Sequence, residues 1–81
     1  MSASRKLNRR TNQFVVCVRS EGYEVSLERG KIYRAVSDAR AVRRRLLRVI
    51  DESGEDYLYL ESFFLPIELP KAIKRVLLAL A

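Results

Sequence analysis

Apolar and polar positions alternate in short blocks along this chain, and the blocks predict strands more often than helices. Residues 13–19 carry the run Phe14-Val15-Val16-Cys17-Val18 and stop at Ser20-Glu21-Gly22, as a strand entering a turn would. Residues 23–30 alternate only in part. Tyr23, Val25 and Leu27 would share one face of an extended segment before Gly30 turns the chain. Residues 31–36 predict a further strand, with Ile32, Arg34 and Val36 on one face and Tyr33 and Ala35 on the other.

Residues 46–51 and 56–60 read as a hairpin around Glu52-Ser53-Gly54-Glu55, where Gly54 can take the positive φ of a short loop. Two registers compete. With Asp51 opposite Asp56, Leu47, Val49, Leu58 and Leu60 share a face, and Tyr57 and Tyr59 join Arg48 on the other. A one-residue slip moves the tyrosines to the side of Leu47 and Val49. Glu61-Ser62-Phe63 reads as a tight turn into a last strand at 64–67, where Pro66 marks an edge position.

Two segments carry helical spacing. Ala39, Val42, Leu46 and Val49 recur at intervals of 3 and 4 behind Ser37 and Asp38, either of which could cap a helix. The pattern has little room to continue, so 38–45 is read as a loop with space for one helical turn. Pro70 can open a helix whose stripe is Ile73, Val76, Leu77 and Leu80, with Lys71, Lys74 and Arg75 opposite. A helix that short is marginal alone in water, so it is expected to dock on its own barrel. The expected fold is mainly β: a small five-stranded SH3-like barrel with a short C-terminal helix. The expected organisation is a disordered basic arm at 1–13, the barrel at 14–69 and the amphipathic helix at 70–81.

Composition narrows the functional classes. The 81 residues hold one small domain, 48% hydrophobic and 32% charged, which is globular rather than disordered. There is no histidine and one cysteine, so the commonest general base is missing and a structural zinc site within one chain is excluded in practice. Cys17 sits in an apolar run and reads as a buried hydrophobe in a reducing compartment. No stretch reaches the roughly 18 apolar residues of a membrane span, and no signal-peptide pattern appears, so a cytoplasmic protein is expected. No glycine-rich phosphate loop or nucleophile–base pair is present, and no catalytic residue, metal ligand or cofactor is assigned.

The net charge is +6, from 16 Lys and Arg against 10 Asp and Glu. Such a balance favours acidic partners. Arg5, Lys6, Arg9 and Arg10 make the first residues basic, and Arg40, Arg43, Arg44, Arg45 and Arg48 fall within nine positions. Guanidinium forks match phosphate geometry and stack on bases, so these nine residues are the candidate nucleic-acid or acidic-partner surface. The opposing expectation is a solvated charged loop neutralised by the ten carboxylates. Asp51, Glu52, Glu55 and Asp56 crowd the hairpin tip in no calcium-loop spacing and read as a solvated acidic turn. Tyr57 and Tyr59 with Ile73, Val76, Leu77 and Leu80 are a candidate interaction surface, although core packing is the commoner fate of such residues.

The order of elements resembles SH3 domains. The run Ser26-Leu27-Glu28-Arg29-Gly30-Lys31-Ile32-Tyr33-Arg34-Ala35-Val36 is similar to their turn and second strand. Asp56-Tyr57-Leu58-Tyr59-Leu60-Glu61-Ser62-Phe63-Phe64 is similar to their strand, helical turn and final strand. The chain also resembles a group of short uncharacterised bacterial proteins through Arg48-Val49-Ile50-Asp51-Glu52-Ser53-Gly54-Glu55-Asp56-Tyr57-Leu58-Tyr59, which implies a bacterial origin and no particular activity. Tryptophan is absent and the first strand lacks the tyrosine-rich motif of peptide-binding SH3 domains, so polyproline recognition is not expected. The leading expectation is a non-enzymatic SH3-like module that binds another protein or itself. The alternative is a nucleic-acid binder using the basic arm and the arginine-rich loop.

Overall fold

The computed structural model describes residues 13–80. The expected arm at 1–13 therefore lies outside the described residues, apart from Gln13. Five strands form one antiparallel sheet: β1 (Gln13–Cys17), β2 (Ile32–Val36), β3 (Leu46–Ile50), β4 (Asp56–Leu60) and β5 (Phe64–Ile67), in the order β4-β3-β2-β1-β5. A five-residue helix, α1 (Ala39–Arg43), joins β2 to β3. A 3-10 turn (Glu61–Phe63) joins β4 to β5, and α2 (Lys71–Leu80) ends the fold. The mainly β class, the five strands and the C-terminal helix match the sequence pattern.

The sheet buries one face strongly. Val15 and Cys17 of β1, Tyr33 and Ala35 of β2, Leu47 and Val49 of β3, Tyr59 of β4 and Phe64 of β5 join Leu27 and Phe63 in one cluster. Alternation along each strand puts these residues on the same side, and the register aligns them: Val15 with Tyr33, Ala35 with Val49, Leu47 with Tyr59, Cys17 with Phe64. Residues 18–31 close this side. They form turns rather than the partly alternating extended segment expected. Leu27 is buried, while Tyr23 is half exposed and Val25 is 98% exposed.

The β3–β4 hairpin adopts the slipped register. Ile50 pairs with Asp56 and Val49 with Tyr57, so Tyr57 and Tyr59 share the face of Leu47 and Val49. Burial of the Tyr59 ring against Phe64 and Tyr23 selects this register, because the alternative would place Leu58 and Leu60 inside and expel the ring. Gly54 takes φ +85° at the tip.

Within residues 38–45, the single helical turn for which the loop left room forms as α1. Asp38 caps α1, its Oδ1 accepting from the Ala41 backbone N–H at 3.1 Å. The cap and the burial of Ala41 make up for the helix's short length. Leu77 of α2 meets Phe14, Ile32, Arg34 and Ile50 across a hollow of 210 Å³ on the second sheet face. No residue of α2 is buried, however, so the docking of its stripe is only partial.

Candidate binding surfaces

Seven of the ten carboxylates lie at one end of the sheet, in the β1–β2 connection and the β3–β4 hairpin. The hairpin is not simply a solvated acidic turn, because Asp51 is only 6% exposed. Its Oδ1 accepts from the Ser53 backbone N–H (2.8 Å) and Oγ (2.6 Å), and its Oδ2 accepts from the Tyr59 hydroxyl (2.6 Å). Burial pushes this carboxyl up, but the hydrogen bonds from Ser53 and Tyr59 together hold it below the usual carboxylate range. The Tyr59 hydroxyl also lies 2.9 Å from Ser26 Oγ, and the Glu52 N–H donates to the Ser26 carbonyl, tying the long connection to the hairpin.

A second network runs beside the first. Glu52 Oε2 accepts from Lys31 Nζ (2.6 Å) and from the Tyr33 hydroxyl (2.5 Å), which itself accepts from the Glu28 N–H. The lysine and tyrosine hold the Glu52 carboxyl low, while burial and then this hydrogen bond push the Tyr33 hydroxyl far up. Between hairpin and connection lies an open hollow of 420 Å³ lined by Tyr23, Ser26, Asp51, Ser53, Tyr57, Leu58 and Tyr59.

The opposite end is basic. β1 begins there at Gln13, β2 leads there into α1, and β5 leaves there toward Lys71. Arg40, Arg43 and Arg44 are exposed and together line a hollow of 400 Å³. Arg40 and Arg44 also border a hollow of 270 Å³ with Asp38, Ala41, Leu46, Arg48 and Leu58. Among the described residues, no ion pair involves Arg40, Arg43, Arg44 or Arg45. Arg48 differs. Its Nε donates to Asp38 Oδ2 at 2.8 Å and its Nη1 to Asp56 Oδ2 at 3.4 Å, so its charge is spent within the fold.

Arg45 takes φ +62°, a conformation that favours glycine and costs most residues about 1 kcal/mol. It is fixed there between two hydrogen bonds, from its own N–H to the Val42 carbonyl and from the Glu61 N–H to its carbonyl, both 2.9 Å. Nothing in the sequence signals this position, because arginine is not a left-handed residue by preference. The Asp51-x-Ser53 spacing of an Asx turn did carry a signal for the buried carboxylate.

The structure thus separates the predicted residues. Arg40, Arg43 and Arg44 come together, Arg45 follows them, and Arg48 is withdrawn into ion pairs. Arg5, Lys6, Arg9 and Arg10 lie outside the described residues. Tyr57 is half exposed and Tyr59 is buried; Ile73, Val76 and Leu80 are exposed, and Leu77 faces the sheet. Cys17 is fully buried, and burial pushes its thiol up. Among the described residues, no group of three or more His, Cys, Asp or Glu is placed to hold a metal ion, and no helix is long and apolar enough to cross a membrane. Comparison with family models, curated proteins and solved structures gives no match.

Proposed function

We propose that this protein is a small non-enzymatic, SH3-like binding module of a bacterial cytoplasm whose basic end engages nucleic acid. The observation that carries the reading is the segregation of charge. Carboxylates that could neutralise the arginines sit largely at the far end of the sheet, and four adjacent arginines stay exposed and unpaired among the described residues. Like charges held together gain from an external polyanion, and arginine forks suit phosphate oxygens. Arg48 links the two ends through Asp38 and Asp56, whereas Arg40, Arg43, Arg44 and Arg45 make no ion pair among the described residues. The SH3-like assignment is supported by the order of elements, by β1 pairing with both β2 and β5, and by the 3-10 turn that joins β4 directly to β5.

The test is a titration of labelled single- and double-stranded nucleic acid at several salt concentrations. Expected is binding whose logarithm falls with log salt, each phosphate contact on duplex adding about 0.9 to the slope. Arg40→Gln with Arg43→Gln should lower that slope by about 1.8 on duplex. Absent binding at low salt, salt-independent binding, or indifference to these substitutions overturns the reading.

A protein partner is the second reading. It is favoured by Ile73, Val76 and Leu80 on α2, a stripe of large apolar side chains that the fold leaves exposed, Leu80 at 77%.

A further inference from the structure

The second face of the sheet carries a charge that the fold leaves unpaired. Register aligns Ile67, Phe14, Arg34, Ile50 and Asp56 in a row across the five strands, so Arg34 stands at the middle of the central strand between two apolar neighbours. A surface arginine ordinarily keeps its head group in water. Arg34 is half-buried, and its Nε is closed to water and has no hydrogen-bond partner. Among the described residues it makes no ion pair. Among the strand residues, the one carboxylate that register turns to this face is Asp56, and Arg48 Nη1 already donates to it at 3.4 Å. α2, whose Leu77 borders the same hollow as Arg34, brings Lys71, Lys74 and Arg75 and no carboxylate. A charge-assisted hydrogen bond is thus left unmade at a site the fold encloses.

We propose that the hollow beside Arg34 binds a small carboxylate with an apolar body, a single ring or a short branched chain, through the Arg34 guanidinium. Each part of that chemistry has its counterpart in the wall. Phe14, Ile32, Ile50 and Leu77 supply apolar surface, and the guanidinium supplies a charge and a planar pair of donors that matches a carboxylate. An inorganic anion suits the charge but loses its hydration against these four side chains. A neutral apolar molecule suits the walls but leaves the Nε–H unpaired. The hollow measures 210 Å³. A cavity of roughly 150 Å³ takes one benzene ring, so there is room for a ring with its carboxylate and none for a long acyl chain. α2 buries no residue and meets the hollow through Leu77, so it is the wall that moves to admit a ligand and let it reach the Nε–H. This inference does not rest on the nucleic-acid reading, since Arg40, Arg43 and Arg44 line other hollows.

Titration of the full chain with sodium benzoate, followed by NMR of nitrogen-bound and methyl protons, tests it. Expected are saturable shifts at the Arg34 Nε–H and at the methyls of Ile32, Ile50 and Leu77, with a Kd of about 0.1–1 mM for a ligand of this size. Arg34→Met keeps the apolar stem and removes the charge. It should weaken benzoate binding at least about tenfold while Tm stays level or rises, because a half-buried unpaired charge leaves the sheet. Benzyl alcohol, with the ring and no charge, and inorganic phosphate, with charge and no ring, should each bind the hollow at least about tenfold more weakly than benzoate. Arg40→Gln with Arg43→Gln should leave benzoate binding unchanged. The absence of a saturable shift at Arg34 up to about 10 mM benzoate overturns the proposal. So does benzoate binding that survives Arg34→Met, benzyl alcohol or phosphate bound there as tightly as benzoate, or shifts confined to Arg40, Arg43 and Arg44.

Discussion

Arg45 shows most clearly how a single residue departs from the local rules of this fold. Its φ of +62° would suit glycine, and the turn into β3 needs that conformation to bring the Glu61 N–H onto the Arg45 carbonyl. Arg45→Gly should therefore leave stability unchanged or raise it by up to about 0.5 kcal/mol in urea denaturation, since the left-handed penalty disappears and glycine's unfolded-state entropy cost offsets most of the gain. Asp51 is the opposite case. Its carboxylate is buried, but every bond it accepts comes from a neutral donor, so its negative charge is solvated by the fold rather than paired. Tyr59→Phe removes one of those donors and should cost about 1–3 kcal/mol at neutral pH.

At the scale of elements, the two helices differ in what holds them. α1 is only five residues long, yet it has a capping aspartate, a buried alanine and an ion pair from Asp38 to the neighbouring strand. α2 is twice as long and amphipathic, yet it buries no residue and touches the sheet through Leu77. Length is therefore a poor guide to local stability here. Native-state hydrogen exchange should find α2 amides opening with a free energy near zero, while β1, β2 and β3 exchange only by global unfolding. Strong protection across α2 would contradict the loose docking. The β3–β4 hairpin illustrates how an element is chosen from outside itself. Both registers satisfy the turn, and the aromatic neighbours of Tyr59, supplied by residues 18–31 and β5, decide between them.

At the scale of the whole molecule, antiparallel register sorts a chain of mixed charge into an acidic and a basic end. The acidic end also sets the pH response. Asp51 and Glu52, together with Asp38 at the other end, have carboxyls below their ordinary values. For Glu52 and Asp38 the largest causes are the hydrogen bonds from Lys31 and Arg48 respectively, and for Asp51 hydrogen bonds outweigh burial. Groups lowered on folding contribute stability above their unfolded values of roughly 4, and that contribution is lost as the pH falls through the folded values. Thermal unfolding should thus vary little from neutral pH down to about 5 and weaken below about 4. In Tyr59→Phe the acid limb should begin at a higher pH, because Asp51 then keeps fewer bonds to its charged form. Arg40→Gln with Arg43→Gln should weaken nucleic-acid binding and leave Tm near that of the parent, because both side chains are exposed and make no ion pair among the described residues.

By itself, the sequence determined the existence and approximate extent of the five strands, the C-terminal helix, the buried cysteine and the arginine run, because each rests on periodicity, turn residues or composition within a few neighbouring positions, although the same alternation also suggested an extended segment at 23–30 that folds as turns. Only tertiary structure decided the rest. The slipped hairpin register, the burial of Asp51, the helix at Ala39–Arg43 and the withdrawal of Arg48 from the basic cluster all depend on groups distant in the chain. Local pattern does not record which strand neighbours which. The separation of charge into two ends, and the place of Arg34 between Phe14 and Ile50, come from that pairing alone.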